Sequence, residues 1–457
     1  MGRTKFFGKR VEEMTFPELE AAKQQCVTGI PAWGACGNHK AAKGLKKRLY
    51  DIERRLSRVV GNALAVLIIA ALGLTSIRAA DSVPLDSMDA LTFQPPKEKV
   101  TVRIVEGKQG NALQFSFEKD CKGAFAIGRV KGTPEWDRAA GISFWVKGDG
   151  AEHLGGLEFV WNGDFALRYA CTFPIASTEW KKIAVPWRDL IPETCNAEAK
   201  PLGPDGLAPS KLGALWFGKW WYWRDYAAHS YTVDDIRLEL AIEAPAEPKA
   251  PAAPLQNLLA KLKAGKPVTI VTMGDSLTDY NHWSNKPVNW PTLLKEKLKA
   301  NYGSEVTIVN PAMGGTELRQ NVILIPRWLA QTPEPDLVTI WFGGNDWNSG
   351  MRGEMFNQSV QDAIDRIRRA TNNKAGVLVM TTCPTVEKWD AFAELAEAAR
   401  AAARAKGAAL ADIYAIFHEE GKTNPEKLYG HDKVHLGPAG HELVAKTIMD
   451  AIGKVTP

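Results

Sequence analysis

Two patterns of apolar spacing divide the chain. Between residues 82 and 242, short runs such as KVTVRIV, ALQFSFE, GISFWVKG, GLEFVWNG and YTVDDIRLEL are rich in Val, Ile, Phe, Tyr and Trp. Gly, Asp and Pro punctuate them, as expected of β-strands joined by tight turns. Roughly eight such strands at short spacing predict an all-β sandwich or jelly roll. From residue 257 the pattern changes. PVTIVTM, EVTIVN, DLVTIWF and AGVLVMTT are continuous apolar runs, the signature of parallel strands buried on both faces. Between them, WPTLLKEKLKANY and QSVQDAIDRIRRAT space apolar residues at i, i+3, i+4, and AFAELAEAARAAARAKG ends on Gly407, a C-cap candidate. Strand and helix in alternation predict an open α/β sheet with right-handed crossovers. Such sheets place their sites beyond the carboxyl ends of the strands.

The two patterns meet at AIEAPAEPKAPAAP, where Pro245, Pro248, Pro251 and Pro254 recur every third residue. That spacing predicts a stiff, extended spacer. The organisation expected is a β module over 82–242, a Pro/Ala-rich linker over 243–256 and an α/β domain over 257–457. Upstream, residues 59–75 (VVGNALAVLIIAALGLT) form the longest apolar run and follow the basic stretch KKRLYDIERRLSR. A positive region before an apolar one reads as a secretory signal over 59–80, so the protein is expected to be exported. The competing reading is an uncleaved anchor, since ~17 residues is the lower limit for a span. Residues 1–58 fit neither and read as a basic arm before the true start.

Charge follows the same division. Residues 1–58 hold thirteen Lys/Arg against six Asp/Glu, so the formal charge of +5 belongs to the arm. The remainder is slightly acidic, which argues against nucleic acid as a partner. Of the six cysteines, Cys171 and Cys195 lie in the β module and suit either a disulfide, if the chain is exported, or two buried thiols. No CxxC pair occurs, so no metal site is expected.

The chemistry is concentrated at predicted strand ends. GDSLT, carrying Ser276, follows the first α/β strand; NPAMGGTEL follows the second, with Gly314 and Gly315; FGGND follows the third, with Asn345. HDKVHLGPAGH, with Asp432 and His435 three residues apart, precedes the last helix. A serine hydroxyl attacks only when a base takes its proton, and acyl transfer needs donors aimed at an oxyanion. Ser276 as nucleophile, His435 as base and Asp432 as its orienting acid would supply the first need. Glycine N–H groups and the Asn345 amide would supply the second. Taken singly, each motif is most often a structural loop; their order and placement in one domain of about 200 residues is what carries weight.

In combination these four blocks resemble those of the SGNH, or GDSL-type, esterases and lipases, over roughly residues 265–455. The resemblance implies a flavodoxin-like three-layer α/β/α domain, a Ser276–His435–Asp432 triad, and an oxyanion hole made by Ser276 N–H, Gly315 N–H and Asn345. Gly314 remains an alternative to Gly315. No cofactor is implied. Asp275 is expected to brace the turn and His441 to be a core residue.

The β module more loosely resembles galactose-binding-like jelly rolls, including carbohydrate-binding modules, through GISFWVKGDG, WKKIAVPWRDL and YTVDDIRLEL. Its WFGKWWYWRDY stretch cannot bury every aromatic if it is an alternating strand. Trp220, Trp221 and Trp223 are therefore candidate sugar contacts, joined by Trp347 beside the third block. Trp283 and Trp290 are further aromatics for a cleft or for the core. The function expected is an exported esterase removing acetyl or similar acyl groups from a polysaccharide. The alternative is a lipid or small-ester acylhydrolase with a structural β module.

Overall fold

A computed structural model describes residues 82–453 except 96–98, 164, 166, 196–207, 225–226, 244–245 and 247, together with a strand pair, Lys5–Phe6 and Lys9–Arg10. The chain divides into two compact units, residues 1–79 and 80–457. The apolar run 59–75 and the basic arm lie outside the described residues, apart from that strand pair. Among the described residues no helix is long and apolar enough to cross a membrane.

The β half is an antiparallel sandwich. Its strands are β1 (Ser82–Asp86), β2 (Phe93–Gln94), β3 (Val100–Glu106), β4 (Asn111–Phe117), β5 (Ala124–Arg129), β6 (Gly141–Gly148), β7 (Leu154–Trp161), β8 (Arg168–Pro174), β9 (Lys181–Pro186), β10 (Ile191–Pro192), β11 (Leu212–Lys219) and β12 (His229–Glu239). One sheet runs β10-β8-β7-β11-β5-β2; the other runs β9-β6-β12-β4-β3, with β1 also pairing β12. Alternation along β4 and β12 turns Leu113, Phe115, Tyr231 and Val233 inward. There they meet Phe144, Phe173 and Phe217 in a set of edge-on, tilted and stacked aromatic contacts. Cys171 and Cys195 are both free thiols, so the disulfide reading fails. Cys171 faces the buried side of β8, while the Cys195 thiol donates to Glu317 at 3.5 Å. Burial pushes both thiols up to about 12, which keeps them protonated.

The α/β half has five parallel strands: β13 (Val268–Gly274), β14 (Val306–Val309), β15 (Leu337–Trp341), β16 (Gly376–Met380) and β17 (Ala409–Ala411). Their order, β14-β13-β15-β16-β17, is the flavodoxin-like arrangement. Helices α1 (Gln256–Lys263), α2 (Trp290–Tyr302), α3 (Leu318–Ile323), α4 (Ile325–Gln331), α5 (Gly344–Asn348), α6 (Gly353–Ala370), α7 (Ala393–Lys406), α8 (Ile413–Gly421) and α9 (Pro438–Gly453) cover the sheet. Leucines of α1 and α2 pack with Val268 and Ile270 on one face; α6 and α7 pack with Val338 and Val377 on the other. Trp290 is buried against Trp341 and His441 is buried in α9, so neither reaches a cleft.

The sandwich and the α/β fold share a core. Leu154, Ala170, Ile191, Trp220, Tyr222 and Trp223 of the sandwich join Val322, Ile323, Leu324 and Trp328 in one buried cluster. Thr172 donates to the Ile323 carbonyl at 2.9 Å, and Arg366 donates to the carbonyls of Arg188 and Asp189 at 3.0 and 2.9 Å.

Candidate active site

β13 sits between the strands on either side of the order reversal, and its chain leaves the sheet there at Gly274. Asp275 Oδ1 accepts the Leu277 N–H at 3.0 Å, and the Asp275 carbonyl accepts the N–H groups of Thr278 and Asp279. That turn lifts Ser276 above the sheet edge. From below, the Asn285 amide donates to the carbonyls of Ser276 and Asp279 at 2.7 and 2.8 Å.

The loop before α9 comes from the opposite end of the domain sequence. It is closed by Gly430 N–H to His435 O at 2.7 Å and by a bridge between Tyr429 and Leu436. His435 Nε2 accepts the Ser276 hydroxyl at 2.9 Å, and its Nδ1–H donates to Asp432 Oδ2 at 2.5 Å. The other Asp432 oxygen accepts the His435 and Val434 N–H groups at 3.0 and 3.2 Å. Burial alone would raise the Asp432 carboxyl. These hydrogen bonds to its anion prevail and hold it below the usual carboxylate range.

His282 lies beside the imidazole, its ring centre 4.2 Å from that of His435 and tilted by 31°. Burial first, and then the His435 charge, hold its basicity down. Trp283 adds a second wall 5.7 Å from the His435 ring and is 48% exposed.

Opposite stands the glycine loop. Gly314 N–H donates to Asp279 at 2.9 Å, and Gly315 adopts φ +79°, a left-handed conformation that favours glycine. A Cβ on Gly314 would lie 3.5 Å from that of Ser276. The Asn345 amide donates to the Thr316 carbonyl at 3.0 Å, with a longer contact of 3.4 Å to Asp275 Oδ2. Two buried carboxyls support this corner. Burial pushes Asp275 up to about 6 and Asp346 up to about 7. A cavity of about 210 Å³ opens beside Ser276, lined by Leu277, Phe342, Asn345, Cys383, Phe392 and Val434 among others.

The residues expected at the site thus converge, except among the aromatics. Trp220 and Trp223 are 5% and 1% exposed and belong to the shared core, so neither can meet a sugar. The physical reason is that β11 ends at Lys219 and Trp221–Trp223 form a 3-10 turn, to which strand alternation does not apply. Only Trp221 remains open, at 51% exposed, and its ring lies 4.0 Å from where a Gly315 Cβ would be. Trp347 packs edge-on against Phe392, with the Arg352 and Lys388 cations each 4.6 Å from its ring centre. Asp279, His282, Asn285 and Arg224 are site neighbours that sequence reasoning missed. The first three lie within nine residues of Ser276, which was a usable signal; Arg224 had none. Among the described residues no group of three His, Cys, Asp or Glu side chains is placed to hold a metal ion.

Residues 272–443 match the model of the GDSL-like Lipase/Acylhydrolase family. Solved structures similar to the chain include a putative GDSL-like lipase from Parabacteroides merdae, 22% identical, covering 41% of this chain and 96% of that one at a TM-score of 0.35. An acetyl xylan esterase from Geobacillus stearothermophilus is 21% identical, with 42% and 98% covered at a TM-score of 0.35. A family 11 carbohydrate-binding module from Clostridium thermocellum is 21% identical, with 36% and 100% covered at a TM-score of 0.29. No curated protein matches the chain significantly. With the serine turn, glycine loop, asparagine and histidine loop in place, the chain carries over residues 272–443 a GDSL-like lipase/acylhydrolase domain, that of a carboxylic ester hydrolase.

Proposed function

We propose that the protein is an exported serine esterase that removes acetyl or similarly short acyl groups from a polysaccharide. The observation that carries the reaction is the hydrogen-bonded line from Asp432 through His435 to Ser276, at 2.5 and 2.9 Å. Ser276 Oγ attacks the ester carbonyl as its proton passes to His435 Nε2. Asp432 stabilises the imidazolium that forms. The oxyanion is met by the N–H groups of Ser276 and Gly315 and by the Asn345 amide. Gly315 is favoured over Gly314 because the Gly314 N–H is already committed to Asp279. The firm bond to Thr316 orients the Asn345 amide, and the long contact to Asp275 leaves its second hydrogen free to turn to the oxyanion. His435 then gives its proton to the leaving alcohol, and water repeats the cycle on the acyl-enzyme.

The polysaccharide reading is supported by two half-exposed indoles, Trp221 beside the glycine loop and Trp283 beside the base. Flat apolar faces with a polar edge suit sugar rings. Export rests on the basic and apolar segments before residue 80. One observation favours the lipid alternative: Leu277, Phe342, Phe392 and Val434 give the otherwise mixed cavity at Ser276 an apolar side that suits a longer acyl chain.

The test is acyl release by the whole chain from acetylated xylan, mannan and pectin and from phospholipid. Acetate is expected from at least one glycan. Ser276→Ala should release none, and residual turnover there would remove Ser276 from its role. Trp221→Ala should lose at least about tenfold on the glycan, as hot-spot aromatics do, and little on a small soluble ester. Faster release from phospholipid than from every glycan would return the lipid alternative.

A further inference from the structure

The turn that ends β11 reaches the ester site from the sandwich. Trp220, Tyr222 and Trp223 anchor it in the shared core, and the Trp223 carbonyl accepts Arg327 Nη1 at 2.6 Å. Arg224 follows at φ +53°, and its side chain points back to the glycine loop. Its Nη1 donates to Asp279 Oδ2 at 3.3 Å and its Nη2 to the Gly314 carbonyl at 3.2 Å. The same Asp279 oxygen accepts the Gly314 N–H at 2.9 Å, and Asp279 is buried. Both peptide groups of Gly314 are therefore held, one by Asp279 and the other by Arg224.

The second of these matters for chemistry. A trans peptide is planar, so the Gly314 carbonyl and the Gly315 N–H point in opposite directions. Whatever fixes the carbonyl aims the N–H. Glycine on both sides makes a flip of this peptide cheap, because glycine accepts positive and negative φ about equally. Among the described residues, Arg224 is the side chain that donates to that carbonyl. A guanidinium can span carboxylate and carbonyl with two arms, which an ammonium cannot do in the same geometry.

We propose that Arg224, a residue of the β sandwich, is a positioning residue for the oxyanion hole: by holding the Gly314 carbonyl it keeps the Gly315 N–H turned toward the reacting ester. The sandwich then serves catalysis directly. This rests on Gly315 as an oxyanion donor in the reading above.

The experiment compares the full chain with Arg224→Ala, Arg224→Met, Arg224→Lys and Ser276→Ala on p-nitrophenyl acetate. It also measures inhibition by phenylboronic acid, whose tetrahedral adduct occupies the oxyanion hole. Losing one oxyanion donor costs about 100- to 1000-fold in kcat, so a donor left free to flip should cost about 10- to 100-fold. Arg224→Ala and Arg224→Met should lose that factor in kcat with KM within about twofold, and boronate affinity should fall in parallel. Arg224→Lys should recover part of both, with melting temperatures unchanged. Values of kcat within twofold of wild type in the Ala and Met variants overturn the proposal. So does a loss of activity that tracks lost melting temperature with no rescue by Lys. Turnover by Ser276→Ala would sink the site reading itself, whereas an inactive Ser276→Ala beside fully active Arg224 variants sinks this inference alone.

Discussion

Asp432 shows how one side chain can hold a loop and orient an imidazole. One oxygen binds the backbone of its own loop and the other binds the imidazole. Asp432→Asn keeps the shape but presents an amide where Nδ1–H needs an acceptor, and so favours the wrong tautomer. Turnover should fall about 10³- to 10⁴-fold with the circular-dichroism spectrum unchanged. A loss below tenfold would mean His435 is oriented by something else. The same carboxyl is depressed below 3.8, so its bonds stabilise the fold above that pH and are lost as pH falls through its folded value. His441 differs in every respect. Buried in α9, it is pushed down to about 4 by desolvation, so it stays uncharged at neutral pH and serves as packing.

Short elements carry the site more than long ones. α5 begins on the FGGND block and presents Asn345 and Asp346 on adjacent positions. Asp346 Oδ1 accepts the Leu318 N–H at 3.0 Å and so caps the first turn of α3, the helix that follows the glycine loop. Its carboxyl rises from 3.8 unfolded to about 7 folded, because burial penalises the anion. Between those values the folded state keeps a proton that the unfolded chain has released. Stability on this account is full below 3.8 and declines as pH rises to about 7. Asp346→Asn should remove that slope. Urea midpoints at pH 4 and pH 8 should show the variant gaining on wild type with rising pH, by up to about 4 kcal/mol. A constant difference across that range would place the titration elsewhere.

At the scale of the molecule, the sandwich is part of the enzyme's body rather than an appendage on a spacer. The shared aromatic cluster, the Arg319 bond to the Thr194 carbonyl at 2.6 Å and the Arg369–Asp189 pair at 3.1 Å tie the halves together. Burying Trp220, Tyr222 and Trp223 contributes on the order of 2 kcal/mol or more each, an amount either half forfeits alone. Scanning calorimetry of the intact chain should therefore show a single transition for both halves. Two well-separated transitions would mean that the shared core couples them weakly.

The amino-acid order by itself determined the two fold classes, because strand alternation, continuous parallel-strand runs and helical spacing are local properties. It also pointed to the candidate site groups. Ser276, Gly315, Asn345, Asp432 and His435 sit beside strand ends or in one tight loop, where a short motif and its neighbours carry the signal. Tertiary structure decided what depends on distance through space. A 3-10 turn, rather than one more strand, buried Trp220 and Trp223 and left Trp221 beside Gly315. Packing across the two halves set Arg224 against Asp279 and Gly314, 55 and 90 positions away in the chain. No period or motif encodes such a contact, because it exists only when two separately patterned segments meet across a common core.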